Sequence, residues 1–160
     1  MAAITKTNAL RLLDGAKIAY RTIAYTLEEG QYDGELVAGK IGMDPTQVFK
    51  TLVIKGERKG YAVFVIPVSK ELDLKAAAIF MQDKKAELIH VNDLLALTGY
   101  IRGGCSPVGM KKQLPTWIDE SALSFSEIAV SAGVRGLQMV LDPSLLIAYL
   151  KANTGKMVKG

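Results

Sequence analysis

The sequence predicts an α+β fold, in which a mixed β-sheet curls into a barrel and helices flank it. Strands and helices are interspersed along the chain, but the gaps between strands are too uneven for a repeated βαβ winding. The most hydrophobic run, residues 61–66, follows another strand-like run, 47–55, across a glycine-containing turn, which indicates a hairpin. With 49% apolar and 22% charged residues, the chain is typical of one globular domain, 1–160.

Capping residues and glycines delimit the predicted helices. Asp, Asn and Thr side chains accept hydrogen bonds from first-turn amides, and glycine ends a helix because it adopts a left-handed conformation without strain. The predicted helices follow Thr7, Asp33, Asp73, Asn92 and Asp142, and three of them end near Gly15, Gly42 and Gly99. β-Branched and aromatic runs predict the strands, at 18–25, 47–55, 61–66, 88–91, 116–119, 127–131 and 137–141.

The charge balance and the cysteine count limit the classes of function. A net charge of +4 is mildly basic, which permits an anionic partner such as nucleic acid without requiring one. The single cysteine, Cys105, excludes an internal disulfide and indicates a reducing compartment. No apolar run is long enough to span a bilayer. We therefore expect a cytoplasmic protein without a membrane or DNA partner.

Lys50 lies within the strand-like run 47–55, between residues that are apolar on both faces. Side chains alternate across a strand, so Lys50 shares a face with Val48 and Leu52. An ammonium group in such a place is costly to desolvate unless it finds an anion or opens into a cleft. Two interpretations stay open at this point: a lysine that snorkels to the strand edge, and a cation directed at an anionic ligand.

Two glycine-rich turns could bring backbone amides close to a ligand. The first, 103–109, contains three glycines, a proline and Ser106, and Lys111 and Lys112 follow it. The second, 131–136, carries Ser131 and Arg135. A lysine and two such turns could orient an anion or a carbonyl group while water makes the attack.

The sequence lacks the residue patterns that nucleophilic catalysis, metal binding or nucleotide-cofactor binding would need. His90 falls in a strand-like segment, where a structural role is expected, and Cys105 is expected to fill space as a small, partly buried residue. No His, Cys, Asp or Glu cluster has metal-ligand spacing, and no phosphate-binding or dinucleotide motif is present. We expect neither a metal nor a cofactor.

Three stretches together resemble the YbaK/EbsC family of aminoacyl-tRNA deacylases, relatives of the editing domain of bacterial prolyl-tRNA synthetases. Their order and spacing agree along nearly the whole chain. The stretches are Val48-Phe49-Lys50-Thr51-Leu52, the turn 103–109 with its two lysines, and 130–137. The resemblance implies a mixed β-barrel flanked by helices, and hydrolysis of cysteine wrongly attached to proline tRNA.

The resemblance also implies roles for individual residues. Lys50 is the functional lysine, and Gly103 and Gly104 supply the backbone that faces the aminoacyl group. The implied substrate-binding residues are Tyr25, Tyr32, Thr51, Ser106, Ser131 and Arg135, and the tRNA-binding residues are Lys111 and Lys112. Two residues depart from the family pattern. Val134 occupies a position that is often basic, and Gln138 occupies one where some members have aspartate.

The implied reaction is a trans-editing hydrolysis that releases free cysteine and tRNA, with the substrate's own thiol assisting the step. A sister group of the family removes alanine from the same tRNA, and this alternative stays open. Another alternative is a non-catalytic tRNA-binding module that uses Lys17, Lys111 and Lys112. The expected partner is the acylated 3′ end of tRNA, with prolyl-tRNA synthetase as the source of tRNA identity.

Overall fold

The computed structural model describes residues 6–160, in which helices and strands alternate irregularly. The helices are α1 (Asn8–Gly15), α2 (Gly34–Ile41), α3 (Leu74–Met81), α4 (Val91–Thr98) and α5 (Pro143–Leu150). The strands are β1 (Arg21–Ala24), β2 (Phe49–Gly56), β3 (Tyr61–Pro67), β4 (Ala86–Leu88), β5 (Thr116–Asp119), β6 (Ile128–Ser131), β7 (Leu137–Leu141) and β8 (Asn153–Gly155). This mixture confirms the α+β class.

Most predicted helix caps are present. The Thr7 hydroxyl accepts from the Leu10 amide at 3.2 Å, and the carboxylates of Asp33, Asp73 and Asp142 accept from the first turns of α2, α3 and α5. The predicted Asn92 cap is wrong. α4 begins at Val91, one residue before Asn92, and its cap position is His90, whose side chain makes no capping bond.

The strands form two sheets. The larger has the order β4-β2-β3-β5-β8 and is mixed: β2 and β3 form the predicted antiparallel hairpin, while β5 is parallel to both β3 and β8. The smaller sheet has the order β1-β7-β6 and is antiparallel.

The expected barrel is wrong, because neither sheet closes. β6 approaches β2 only at the start of β2. There the Ala129 amide donates to the Gln47 carbonyl at 3.1 Å, and Ala129 and Val48 form an isolated parallel β-bridge. β4 pairs with the same edge of β2, but only at Ile54–Gly56. Between these pairings, from Phe49 to Val53, β2 has no strand beside it on this edge over roughly 13 Å at about 3.3 Å per residue, and Thr51 is the residue whose backbone groups point into the gap.

Buried side chains cover both faces of the larger sheet, and β3 shows how. Val63 and Val65 belong to the core beneath α1, α5 and the smaller sheet, whereas Phe64 and Ile66 belong to the core beneath α3. Trp117 stacks on Phe64 with ring centroids 5.2 Å apart. This alternation explains why β3 is the most hydrophobic run of the chain. None of the helices within residues 6–160 is long and apolar enough to cross a membrane.

Candidate active site

A cavity of about 880 Å³ opens along the unpaired edge of β2. Its remaining walls come from the loop before α2, from the corner between β4 and α4, from the first glycine-rich turn, and from the ends of β6 and β7. The cavity therefore occupies the gap that keeps the sheets from closing.

The backbone of β2 directs polar groups into this gap. The Val53 carbonyl accepts from the Ile89 amide on the β4 side, whereas the Val48 carbonyl accepts from the Val68 amide on the β3 side. In an antiparallel strand, alternate residues direct both their N–H and C=O groups to the same edge. Thr51, which lies between the bridge at Val48 and the pairing at Val53, therefore presents its backbone N–H and C=O groups to the cavity.

Lys50 lies in this part of β2, opposite Ile66 of β3, and lines the cavity. Its side chain is half-buried, and no residue among 6–160 makes an ion pair or a hydrogen bond with it. Of the two interpretations left open by the sequence, the structure supports a cation that opens into a cleft. Such an ammonium group is available to an anionic ligand.

Gly103 forms part of the cavity wall beside Tyr32. It has a φ of +88°, and a Cβ at this position would lie 2.9 Å from the Tyr32 ring. Only glycine permits this backbone conformation and this close packing without strain. No acceptor within residues 6–160 takes the Gly103 N–H, which leaves it available to a ligand.

Gly104 differs from the expectation that its amide faces the substrate. Its N–H donates to the Ile101 carbonyl at 2.9 Å, and the residue is buried outside the cavity lining. A Cβ there would lie 3.0 Å from the backbone of Val134 and Arg135. Gly104 therefore lets the two glycine-rich turns pack together.

Arg135 lies behind the cavity wall and not in it. Its guanidinium carbon is 3.9 Å from the centroid of the Tyr32 ring, and its Nε donates to the Arg102 carbonyl at 2.8 Å. One side chain thus contacts both the loop before α2 and the residue that precedes the first glycine-rich turn. Arg135 positions the wall rather than lining the cavity.

A second group of polar residues lies deeper in the cavity. The Gln138 amide donates to the Tyr25 hydroxyl at 3.3 Å, and both residues line the cavity. Gln138 is buried, and its Oε1 has no partner within the described chain; the same is true of the Thr51 hydroxyl. Buried polar atoms without a partner are rare in proteins and mark places where a ligand can bond.

The two predicted serines have different surroundings. Ser131 lines the cavity, and its hydroxyl oxygen accepts from the Gly133 amide at 3.1 Å, which leaves its O–H free to donate. Ser106 is fully buried away from the cavity and accepts from the Val108 amide. Ser106 therefore stabilises its turn, contrary to a substrate-binding role. Lys111 and Lys112 are exposed outside the cavity.

Cys105 lines the cavity, but burial raises the pKa of its thiol from 9.0 to about 12. Burial also raises the pKa of Tyr100 to about 12, with a smaller effect from nearby Cys105. A thiol of this pKa is protonated near neutral pH and is a poor nucleophile. Residues 6–160 contain no cluster of three or more His, Cys, Asp or Glu side chains able to hold a metal ion.

Sequence reasoning missed most of the apolar lining. These residues come from α2 and from the corner between β4 and α4, and include Leu36, Val37, Leu88, Ile89, Val91 and Leu94. Their spacing reads as ordinary core, so no local signal distinguishes them. Among the polar residues of the lining, Gln138 was not predicted to bind substrate, but the sequence had already marked it as a departure from the family pattern.

A cleft with an unpaired lysine, free backbone donors and no activated nucleophile is suited to binding an activated acyl group. The chain belongs to the aminoacyl-tRNA editing domain family, whose model matches residues 28–149. This finding confirms the family expected from the sequence.

Individual relatives agree with this assignment. A candidate Cys-tRNA(Pro)/Cys-tRNA(Cys) deacylase, EbsC of Enterococcus faecalis (strain ATCC 700802 / V583), is 46% identical over 143 residues, 89% of this chain and 87% of that protein. The crystal structure of a candidate trans-editing enzyme for prolyl tRNA synthetase has a TM-score of 0.81 at 25% identity, over 95% of this chain and 93% of that one. The hypothetical protein APE2540 has the same fold, with a TM-score of 0.85 at 19% identity; the match covers 93% of this chain and 97% of that one.

Proposed function

We propose that this chain is a trans-editing hydrolase that removes cysteine from mischarged Cys-tRNA(Pro), releasing free cysteine and tRNA. The observation that carries the proposal is the unpaired Lys50 at the open edge of β2, facing a cavity that holds no nucleophile paired with a base. The 46% identity to EbsC, whose name gives cysteinyl-tRNAs as substrates, supports the same substrate class.

The ester that joins an amino acid to the terminal ribose is already reactive, so the site mainly has to position it. Lys50 binds a phosphate or ribose oxygen of the terminal adenosine. The Gly103 N–H, with the Thr51 N–H at the open edge of β2, donates to the ester carbonyl as negative charge develops on its oxygen. One well-placed donor of this kind contributes roughly 100- to 1,000-fold in rate.

The aminoacyl group itself lies near the deeper polar residues. The unpartnered Gln138 Oε1 and the Thr51 hydroxyl provide acceptors for its ammonium group, and Tyr25 orients the Gln138 amide. The carboxylate in the cavity lining, Asp33, already accepts from the Glu35 amide as the cap of α2, so the cysteinyl thiol supplies the assistance that the protein does not. A substrate without this thiol, such as an alanyl ester, should therefore react more slowly.

Incubation of the purified protein with Cys-tRNA(Pro) and Ala-tRNA(Pro), with free amino acid measured over time, tests the proposal. We expect rapid release of cysteine and slower release of alanine. Preference for alanine would assign the chain to the sister activity, whereas tRNA binding without turnover of either substrate would make it a binding module.

Identity of the tRNA is proposed to come from a partner, prolyl-tRNA synthetase. The net charge of +4 favours contact with phosphates of any tRNA. The protein alone should therefore deacylate Cys-tRNA(Pro) and Cys-tRNA(Cys) at similar rates. Added prolyl-tRNA synthetase should shift the preference towards the proline tRNA, and a strong preference without it would contradict this part of the proposal.

A further inference from the structure

We propose that α4 and the end of β4 bind the single-stranded 3′ end of the tRNA. In this arrangement the terminal base covers an apolar ridge formed by Leu88, Val91 and Leu95, called here the α4 ridge. The phosphates that precede it contact Lys111 and Lys112. The inference rests on the proposed function, because it starts from an acyl ester bound in the cavity.

The α4 ridge is continuous with the cavity. Leu88 and Val91 line the cavity mouth, and Leu95 lies one helical turn beyond Val91 on the same side of α4. The three side chains are 55%, 58% and 52% exposed. When the ester is inside the cavity, the ribose lies at its mouth and the base outside it, where an apolar surface can cover one face of the base.

Acidic side chains near the α4 ridge point elsewhere. Glu87 precedes Leu88 on β4, so its side chain lies on the opposite face of the strand. Asp93 is two residues from Val91, a rotation of roughly 200° around the helix, which places it on the other side of α4. The ridge itself is therefore apolar and free of negative charge.

Positive charge lies at the far end of α4. The Lys111 amide donates to the Thr98 carbonyl at 3.0 Å, and the Lys111 side chain lies against Gly99, which ends the helix. Lys112 is exposed beside it, and neither lysine has an ion-pair partner among residues 6–160. The helix length of about 12 Å separates this pair from the cavity mouth, a distance that a few nucleotides of single strand can span.

The opposite rim of the cavity would repel phosphates. The loop before α2 and the first turn of α2 carry the carboxylates of Glu28, Glu29, Asp33 and Glu35, all exposed. Three cations lie near this rim: Lys40 donates to the Thr26 carbonyl, Arg135 stacks on Tyr32, and the exposed Arg102 lines the cavity without an ion-pair partner among residues 6–160. Four carboxylates outnumber them, so this rim is less favourable to phosphates than the α4 side.

Three esters of cysteine distinguish contacts to the terminal base from contacts to the preceding phosphates. They are Cys-tRNA(Pro), cysteinyl-adenosine, which has the base alone, and cysteine ethyl ester, which has neither. We expect the double variant Val91→Ala/Leu95→Ala to lower kcat/KM for the first two, relative to the ethyl ester, by about fivefold or more, since each side chain loses apolar contact with the base. Lys111→Ala/Lys112→Ala should lower kcat/KM only for the tRNA, by about tenfold at low salt, and should flatten its dependence on salt concentration.

Two control variants match these changes in chemistry but lie elsewhere. Leu145→Ala removes a helical leucine that is 44% exposed on α5. Lys156→Ala removes an exposed lysine just after β8, which is the opposite edge of the larger sheet from β4. Neither control should change the ratio of rates among the three esters.

Direct binding keeps this test separate from that of the proposed function. Fluorescence anisotropy measures the affinity for a tRNA that carries cysteine through a non-hydrolysable 3′-amide. If no ester is hydrolysed but the α4 variants still lose affinity, the deacylase proposal fails and the RNA surface stands. If the α4 variants match the controls in affinity and in rate ratios, the inference is overturned and the ridge is left as a surface for a protein partner.

Discussion

Replacement of Lys50 tests the central feature of the site. The ammonium group is half-buried, opens into the cavity and has no partner among residues 6–160. Lys50→Met keeps most of the apolar stem and removes only the charge. Because no native bond is broken, we expect the free energy of unfolding to change by no more than about 0.5 kcal/mol.

The effect on catalysis should be much larger. A unit charge 4 Å from a phosphate oxygen, at the effective dielectric constant of about 20 found near protein surfaces, contributes about 4 kcal/mol. Partial exposure to solvent reduces this value to about 2–3 kcal/mol, so we expect kcat/KM for Cys-tRNA(Pro) to fall by about 30- to 150-fold. The assay is release of labelled cysteine, measured beside thermal unfolding of the same sample.

Lys50→Arg provides the comparison for this experiment. Arginine keeps the charge in a larger group, so part of the activity should return if charge is what matters. Full activity in Lys50→Met, or a variant that unfolds early while its remaining folded fraction is fully active, would show that Lys50 is structural and would refute the reasoning.

Three further changes test the walls of the cavity. Gly103→Ala places a Cβ 2.9 Å from the Tyr32 ring at a φ of +88°, so it should lower stability by about 1–3 kcal/mol and impair deacylation. Gly60→Ala is the control, because Gly60 has a φ of +81° but open space around it, and it should lower stability alone. Because burial raises the Cys105 pKa to about 12, alkylation by iodoacetamide at pH 8 should be about 1,000-fold slower in the folded protein than in urea, and Cys105→Ser should remain active; equal alkylation rates would contradict the buried thiol. Raising the pH from about 9 to 12 should also remove the stability that the neutral thiol contributes, since only the unfolded chain ionises in that range. Arg135→Gln should cost about 0.5–1 kcal/mol of stability and raise KM by loosening Tyr32, and unchanged kinetics would show that the stacking is incidental.

Local chemistry was sufficient to predict most of the secondary structure. Asp33, Asp73 and Asp142 bond to the first turns of their own helices, and Gly42 ends α2 in the left-handed conformation. These are interactions between neighbours in the chain, so the sequence contains them. β7 was predicted with its observed bounds for the same reason, since a run of apolar residues interrupted only by Gln138 produces a strand that is covered on both faces.

Predictions failed where an element depends on a distant partner. β8 has no β-branched or aromatic run and exists because Trp117–Asp119 of β5 offer an open edge to it. The strand expected at 88–91 is instead Ala86–Leu88, because pairing with Ile54–Gly56 sets its register. Such pairings are properties of the whole sheet rather than of the segment.

The sequence by itself determined the α+β class, the family and several residues that line the cavity, among them Lys50, Gly103 and Ser131 from three separate motifs. Only the tertiary structure decided that the barrel stays open, because β6 and β4 reach opposite ends of β2 and leave the edge around Thr51 without a strand partner. That gap creates the cavity, opens the half-buried Lys50 ammonium to it, and brings the apolar residues of α4 to its mouth. Each of these depends on where strands distant in sequence stop pairing, which periodicity along one segment does not encode.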